Sequence, residues 1–490
     1  MKNSFSRRDF IRYSSLLSGL MAASPLKALS VNDTWNHRRG VPQKVIILGA
    51  GLSGLSAAIE LRKLGHEVSI YEARMRAGGR VQTLRAPLAD NLYADLGAAR
   101  IPANHDWTMK YIHELGLKTI PFHPHELDFL HVVKGKKIRY KNENTLPPLS
   151  EYPLNLTNKE IEMGWEGIGS GPFADIMKNV GDTKSMSWPP EKIAVYDKYT
   201  FKEFIIHQGY SESVADLLML GYEEESGLPV SVLEIFRELD LSFGTTRNKI
   251  VGGNDLLPRG LADRLSSVIQ YGAEVKDVRQ ENDKVTVSIS KRGEIQQLSA
   301  DRVICTFPCP VLRKFDFINT LSGPKQKAIR EMNYYSLSRT VIQVKDRYWR
   351  KDGLNAFTHT DTPTEIWDPL YESKSGRGLI AAYIKGSNSK RFNSMSENEQ
   401  FQFSADHVND VFPGLYDHIE GGYTKCWDQD KWSAGATSLG GPTQMTQLQP
   451  HLGTQEGRIH FAGEHTSAFH GWMQGAIESG NRVAKEINNF

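Results

Sequence analysis

Cysteine is scarce in this sequence: Cys305, Cys309 and Cys426 are the three present among 490 residues. An odd, sparse set provides no disulfide framework, and without a Cys-x-x-Cys pair the usual zinc signature is missing. Buried free thiols are the expected state. The fifteen histidines show no His-Glu-x-x-His or similar metal spacing. An excess of one charge is missing too. The 59 Lys and Arg stand against 57 Asp and Glu, a net of +2 with no basic block, so nucleic acid has no electrostatic footprint to bind. Beyond Lys27 no hydrophobic run reaches membrane length, which argues against a stable helical span. No internal repeat is visible. What remains is an ordinary soluble balance, 39% hydrophobic and 24% charged, in a chain long enough for two or three domains.

The first thirty residues differ from the rest. Arg7 and Arg8 lie in Ser6-Arg7-Arg8-Asp9-Phe10-Ile11, ahead of a mostly apolar, small-residue run over 13–26 and small residues near Ala28 and Ser30. A positive segment, a short apolar segment and then small residues form an export signal, expected over 1–30. The paired arginines resemble the twin-arginine type, a route that carries folded proteins, so a periplasmic or secreted bacterial location is expected.

Lys44-Val45-Ile46-Ile47-Leu48 is a short β-branched run that predicts a buried parallel strand. Gly49-Ala50-Gly51-Leu52-Ser53-Gly54 follows, and residues 55–64 read as a helix. The three glycines suit a tight turn, close approach of backbone to a pyrophosphate, and tight helix–strand packing. The helix N-terminus offers N–H groups and positive dipole to phosphates. A second strand over 67–71 ends at Glu72, whose carboxylate is placed to accept both ribose hydroxyls of an adenosine. An acid there favours FAD or NAD over NADP. Ala73, Arg74 and the run Ala77-Gly78-Gly79-Arg80-Val81 bring further backbone N–H and a guanidinium towards the pyrophosphate. The expected fold class is α/β with a Rossmann-like domain.

With these motifs in this order, the chain resembles the flavin-containing amine oxidase superfamily and, within it, bacterial L-amino acid oxidases. The resemblance runs from about Lys44 to the C-terminus and is weakest near 140–200. It implies a discontinuous FAD-binding domain (44–85, 250–328 and 450–490), a mixed-sheet substrate domain (86–140 and 330–449) and a helical region over 145–245. Residues 141–156, rich in proline, read as an inter-domain loop. Glu464 is implied at the ribityl–phosphate region, and Gly471, Trp472 and Met473 beside the flavin ring at the start of a terminal helix. Val275 is implied against adenine, with Trp427 and Trp432 near flavin and substrate, Trp432 as an aromatic wall. No Cys stands near Gly435 or within 471–475, so FAD is expected to be held non-covalently.

Asp95-Leu96-Gly97-Ala98-Ala99-Arg100 matches the family segment that crosses the flavin and presents a guanidinium to the substrate carboxylate. A planar two-pronged donor suits that partner. The alternatives for Arg100 are the flavin pyrophosphate or a structural acid. Two positions depart from the family pattern. Arg339 stands where a lysine near flavin N5 is usual, and Trp367 or Asp368 where tyrosines line the substrate pocket. The resemblance implies oxidative deamination of an L-amino acid, with hydride passing from Cα to flavin N5 and oxygen as the second substrate. A mono- or polyamine oxidase and an amino acid 2-monooxygenase giving an amide are the enzymic alternatives. A non-catalytic FAD-binding protein is the remaining class, and a homodimer is left open.

Overall fold

The computed structural model describes residues 40–489, apart from 142–145, 221–228, 243–244, 282 and 362–363. The export segment with Arg7 and Arg8 lies outside the described residues. Five parallel strands make the first sheet, in the order Ile269–Tyr271, Glu67–Glu72, Lys44–Leu48, Arg302–Cys305, Ile459–Phe461. It therefore gathers strands from three widely separated parts of the chain. The central strand shows why both its faces are apolar. Val45 and Ile47 pack with Leu55 and Ile477 on the helical side, while Ile46 and Leu48 pack with Val275, Val287 and Val303 on the other. Side chains alternate along a strand, so a strand covered on both faces reads as a continuous apolar run.

The helical side is built from Leu52–Lys63 and Met473–Asn488, two helices that meet at a very short distance. A Cβ on Gly480 would lie 2.2 Å from the Ser53 carbonyl oxygen, so only glycine admits this approach. The opposite face carries an antiparallel sheet of Ala273–Gln280, Val285–Lys291 and Glu294–Ala300.

A seven-stranded mixed sheet stands beside this unit, in the order Ile419–Cys426, Leu337–Val344, Gly378–Lys385, Thr364–Trp367, Leu354–Thr360, Asp128–Val133, Lys136–Tyr140. The alternating segments at 340–344 and 379–383 fall in its buried strands, as their pattern predicts. Helices including Phe201–His207, Glu212–Leu218 and Val232–Ser242 form a third layer around Phe173, Phe204 and Leu233. The proline-rich stretch expected as a plain loop is anchored there. Leu149–Glu151 forms a 3-10 turn, and Leu149 and Tyr152 are buried in that core. Among the described residues no helix is long and apolar enough to cross a membrane.

Candidate active site

A cavity of about 330 Å³ opens at the carboxyl ends of the parallel strands, where Gly49, Glu72 and Thr306 line it. Ligands of open α/β sheets bind at that edge. The three glycines of the first turn do three different things. Gly49 has φ +110°, and a Cβ there would sit 2.5 Å from Thr306 Oγ1. A Cβ on Gly54 would lie 2.1 Å from the Gly49 carbonyl oxygen. Gly51 has ordinary extended backbone, and a Cβ would meet no protein atom within 4 Å. That bare Cα faces the cavity. The helix starting at Leu52 has no side-chain cap on Gly51, so its first N–H groups and dipole are directed at the space Gly51, Leu52 and Ser53 line. Glu72 is pinned at the rim by the N–H groups of Ala50 and Arg74, each at 2.8 Å.

Further along, Arg80 joins the two ends of the sequence. Its guanidinium donates to Glu464 and to the Ala436 carbonyl, both at 2.8 Å. Glu464 also accepts from Ser438 Oγ (2.7 Å) and the Gly471 N–H (2.9 Å). Burial alone would raise its pKa, but the charge of Arg80 and the Gly471 N–H outweigh burial and bring it down to about 2. Glu464 is therefore an anion at any ordinary pH. Gly471, at φ +74°, turns the chain into the helix Met473–Asn488, whose N-cap Trp472 supplies no side-chain cap. Trp472 and Met473 both line the cavity. Gly97 crosses close by: a Cβ on it would lie 1.8 Å from the Arg80 carbonyl oxygen. Trp427 Nε1 donates to the Leu96 carbonyl at 2.9 Å, which steadies the crossing segment.

The far end is lined by a row of polar side chains on one face of the seven-stranded sheet. Strand register sets Arg339 opposite Tyr383, Tyr383 opposite Glu365, and Glu365 opposite His359. Cross-strand partners share a face, so all four reach the cavity together. Arg100 descends onto this row. Its guanidinium stands 4.7 Å from the Phe122 ring centre and 5.4 Å from that of Trp367, and it donates to Glu365. Glu365 also meets Lys385 Nζ at 3.2 Å. Arg339 is buried, donates to the carbonyls of Asp95 and Gly97, and lies 4.5 Å from the Tyr383 ring centre. Burial, together with His131, Lys385 and Arg100 nearby, holds His359 well below the ordinary imidazole range, so it is neutral.

Comparison with known proteins places this geometry. Residues 52–488 match the family model described as flavin containing amine oxidoreductase. The chain belongs to this family. The YobN protein of Bacillus subtilis is 32% identical over 463 residues, covering 92% of this chain and 95% of that protein. An L-amino-acid oxidase of Siganus canaliculatus is 32% identical over 470 residues, covering 93% and 86%. In fold, the chain resembles putrescine oxidase bound to putrescine (TM-score 0.75, 22% identity, 91% and 99% covered). It also resembles cyclohexylamine oxidase from Brevibacterium oxydans (TM-score 0.75, 20% identity, 91% and 99% covered).

FAD is the cofactor of flavin-containing amine oxidoreductases, and the cavity fits it. The open space over Gly51, the capless helix start and the rim carboxylate of Glu72 suit a dinucleotide, and a second capless helix start at Met473 stands further along. Of the residues expected at the cofactor, Gly49, Gly51, Ser53, Glu72, Ala73, Arg74, Gly79, Arg80, Gly97, Ala98, Ala99, Arg100, Val275, Trp427, Glu464, Gly471, Trp472 and Met473 line the cavity. Ala50 and Gly54 do not; they hold Glu72 and the turn from behind.

Two expectations at the substrate end need correction. Trp367 does not line the cavity. It is buried beneath the guanidiniums of Arg100 and Arg339, 5.4 and 4.9 Å from its ring centre, and so forms their floor. Trp432 lines the cavity, but its segment is tied to the nucleotide end. Its N–H donates to Asp430, which also binds Arg74, and the adjacent Lys431 reaches Glu274 beside Val275. Asp368 is no obstacle to an anionic ligand, because it is buried on Arg347 at 2.9 Å. Sequence reasoning missed Glu365, His359, Tyr383, Lys385 and Arg247, all at the cavity wall. Only the strand register could have found the first four.

Proposed function

We propose that this chain oxidises the α-carbon of an L-amino acid. Amino acid, oxygen and water give the 2-oxo acid, ammonia and hydrogen peroxide. The observation that carries the reading is the charge at the far end of the cavity. There, among the described residues, four cations, Arg100, Arg247, Arg339 and Lys385, stand against two carboxylates, Glu238 and Glu365. A surplus of positive charge suits a substrate with a carboxylate and opposes a diamine. The relatives named L-amino-acid oxidases support the same reading.

The bound flavin supplies the hydride acceptor; the chain's residues supply the rest. Arg100, resting against the Phe122 and Trp367 rings, offers its planar fork to the substrate carboxylate, which fixes position and rotation together. Lys385 keeps Glu365 compensated while Arg100 shares its donors. The same cations raise the energy of an ammonium, so the amine is favoured in the neutral form that can release hydride. Neutral His359 adds no further positive charge. The contact of Glu365 with Arg100 favours a second reading, an oxidase of amines without a carboxylate, in which that pair is permanent.

Anaerobic mixing of the holoenzyme with L-amino acids, D-amino acids, decarboxylated amines and diamines tests the reading. L-amino acids should bleach the flavin absorbance. Bleaching by the amines alone would overturn it and favour the second reading.

We infer further that FAD is held without a covalent bond. None of Cys305, Cys309 and Cys426 lines the cavity, and all three are buried elsewhere. Acid precipitation should leave all the yellow colour in the supernatant; flavin retained in the pellet would contradict it.

A further inference from the structure

We propose that Arg339 is a positioning residue for the substrate carboxylate: it clamps the backbone that leads into Arg100 and shares an aromatic ring with the Arg100 side chain. The inference rests on the amino-acid reading above. Arg100 ends a segment whose carbonyls are taken, one after another, by side chains from distant parts of the chain. The Trp427 indole donates to the Leu96 carbonyl at 2.9 Å, and the Asn254 amide donates to that of Ala98 at 3.0 Å. Arg339 Nη1 donates to the carbonyls of both Asp95 and Gly97, the latter at 2.8 Å. The Asp95 carboxylate accepts in turn from Thr83 Oγ1 (2.5 Å) and the Asn254 N–H (3.0 Å). Arg339 stands within the strand Leu337–Val344, opposite Tyr383 and Lys425. It therefore fixes the crossing segment against the same sheet face that carries Glu365.

The second link is Trp367. The Arg339 guanidinium stands 4.9 Å from its ring centre and that of Arg100 stands 5.4 Å from it, while the Tyr383 ring centre lies 4.5 Å from Arg339. A cation is drawn to the face of such a ring, so a ring that carries two guanidiniums limits where each can lie. These demands select arginine. Its N–H groups reach carbonyls in the plane while its flat face meets rings, whereas an ammonium can bond the carbonyls but has no face to stack. A guanidinium also stays charged and gives up no proton, so the role left to Arg339 is geometric.

The test measures kcat/KM of the holoenzyme for L-leucine, L-phenylalanine, L-glutamate and L-lysine, each beside its decarboxylated amine. The proteins are the wild type, Arg339→Gln, Arg339→Lys, Arg100→Ala, and Arg100→Ala combined with Arg339→Gln. A binding group misplaced by about 1 Å can cost about a hundredfold, so Arg339→Gln should lower kcat/KM for amino acids roughly ten- to a hundredfold. The amines should lose several-fold less. Arg339→Lys keeps donors for the carbonyls but not the stacking, and should fall between the wild type and Arg339→Gln. On the Arg100→Ala background, Arg339→Gln should cost amino acids no more than it costs the amines, because the residue it acts through is gone. A crystal structure of Arg339→Gln should show the Arg100 guanidinium moved from its place against Trp367. Flavin absorbance reports whether each variant holds its cofactor, and Arg339→Lys replaces Arg339→Gln in the comparison if the latter does not. Equal losses for amino acids and amines, a full further loss on the Arg100→Ala background, or an unmoved Arg100 overturns the inference and leaves the amino-acid reading standing. A wild-type flavin bleached only by amines without a carboxylate overturns both.

Discussion

Arg100→Ala is expected to lower kcat/KM for L-amino acids by roughly thirty- to several-thousand-fold. The estimate follows from removing one partner of a water-shielded charge pair, which costs about 2–5 kcal/mol, or one decade per about 1.4 kcal/mol. The site meets the condition, because the Arg100 guanidinium rests against the Phe122 and Trp367 rings and donates to the buried Glu365. Decarboxylated amines with the same side chains should lose far less, since they never use the contact. Arg100→Lys should fall between, keeping the charge but not the planar fork. The substitution also leaves Glu365 with fewer cations, though Lys385 stays at 3.2 Å. A double variant, Arg100→Ala with Glu365→Gln, separates the two effects: it relieves the uncompensated acid but cannot restore carboxylate binding. If amino acids and amines lose equally, or if flavin is lost, Arg100 serves the cofactor and the amine reading moves ahead.

The nucleotide half of this site was legible in the sequence because its parts are local. Strand, glycine turn, helix, second strand and terminal acid occupy residues 44–72, and each constrains the next within a few positions. The partnership of Arg80 with Glu464 was not legible as a contact, since it spans 384 residues, though both were expected at the cofactor. The far end depends on something a single sequence does not display, the register of strands that are distant along the chain. Glu365 reaches the cavity because it stands opposite Tyr383 and next to His359, which is itself opposite His131. Trp367 shares that face, two residues on, but the two guanidiniums cover it. Reading the segment around Trp367 and Asp368 as the pocket therefore chose the right strand and the wrong residues. Arg247 was hidden for the same reason: its place follows from pairing with Ile101–Pro102.

Gly51→Ala and Gly54→Ala should separate cofactor binding from folding, although the two glycines are three residues apart in one turn. At Gly51 the backbone has φ −72°, which alanine adopts without strain, and the new methyl would meet no protein atom within 4 Å. The apoprotein should therefore unfold at the wild-type temperature. The methyl occupies the space over the helix N-terminus where a pyrophosphate must approach the backbone, so FAD affinity should fall. Overpacking by one methyl costs about 1–3 kcal/mol, which corresponds to roughly a five- to 150-fold weaker flavin complex. At Gly54 the methyl would lie 2.1 Å from the Gly49 carbonyl oxygen and 3.2 Å from Ile47 Cγ2. The backbone of the turn cannot give way like a flexible side chain, so the helix must shift off the sheet. Apoprotein and holoprotein should both unfold at lower temperature, with flavin loss following from the displaced turn. Thermal unfolding of each variant with and without FAD, beside flavin titration of the apoprotein, measures the two effects. An apoprotein destabilised by Gly51→Ala, or one untouched by Gly54→Ala, would mean that the turn is not packed as described.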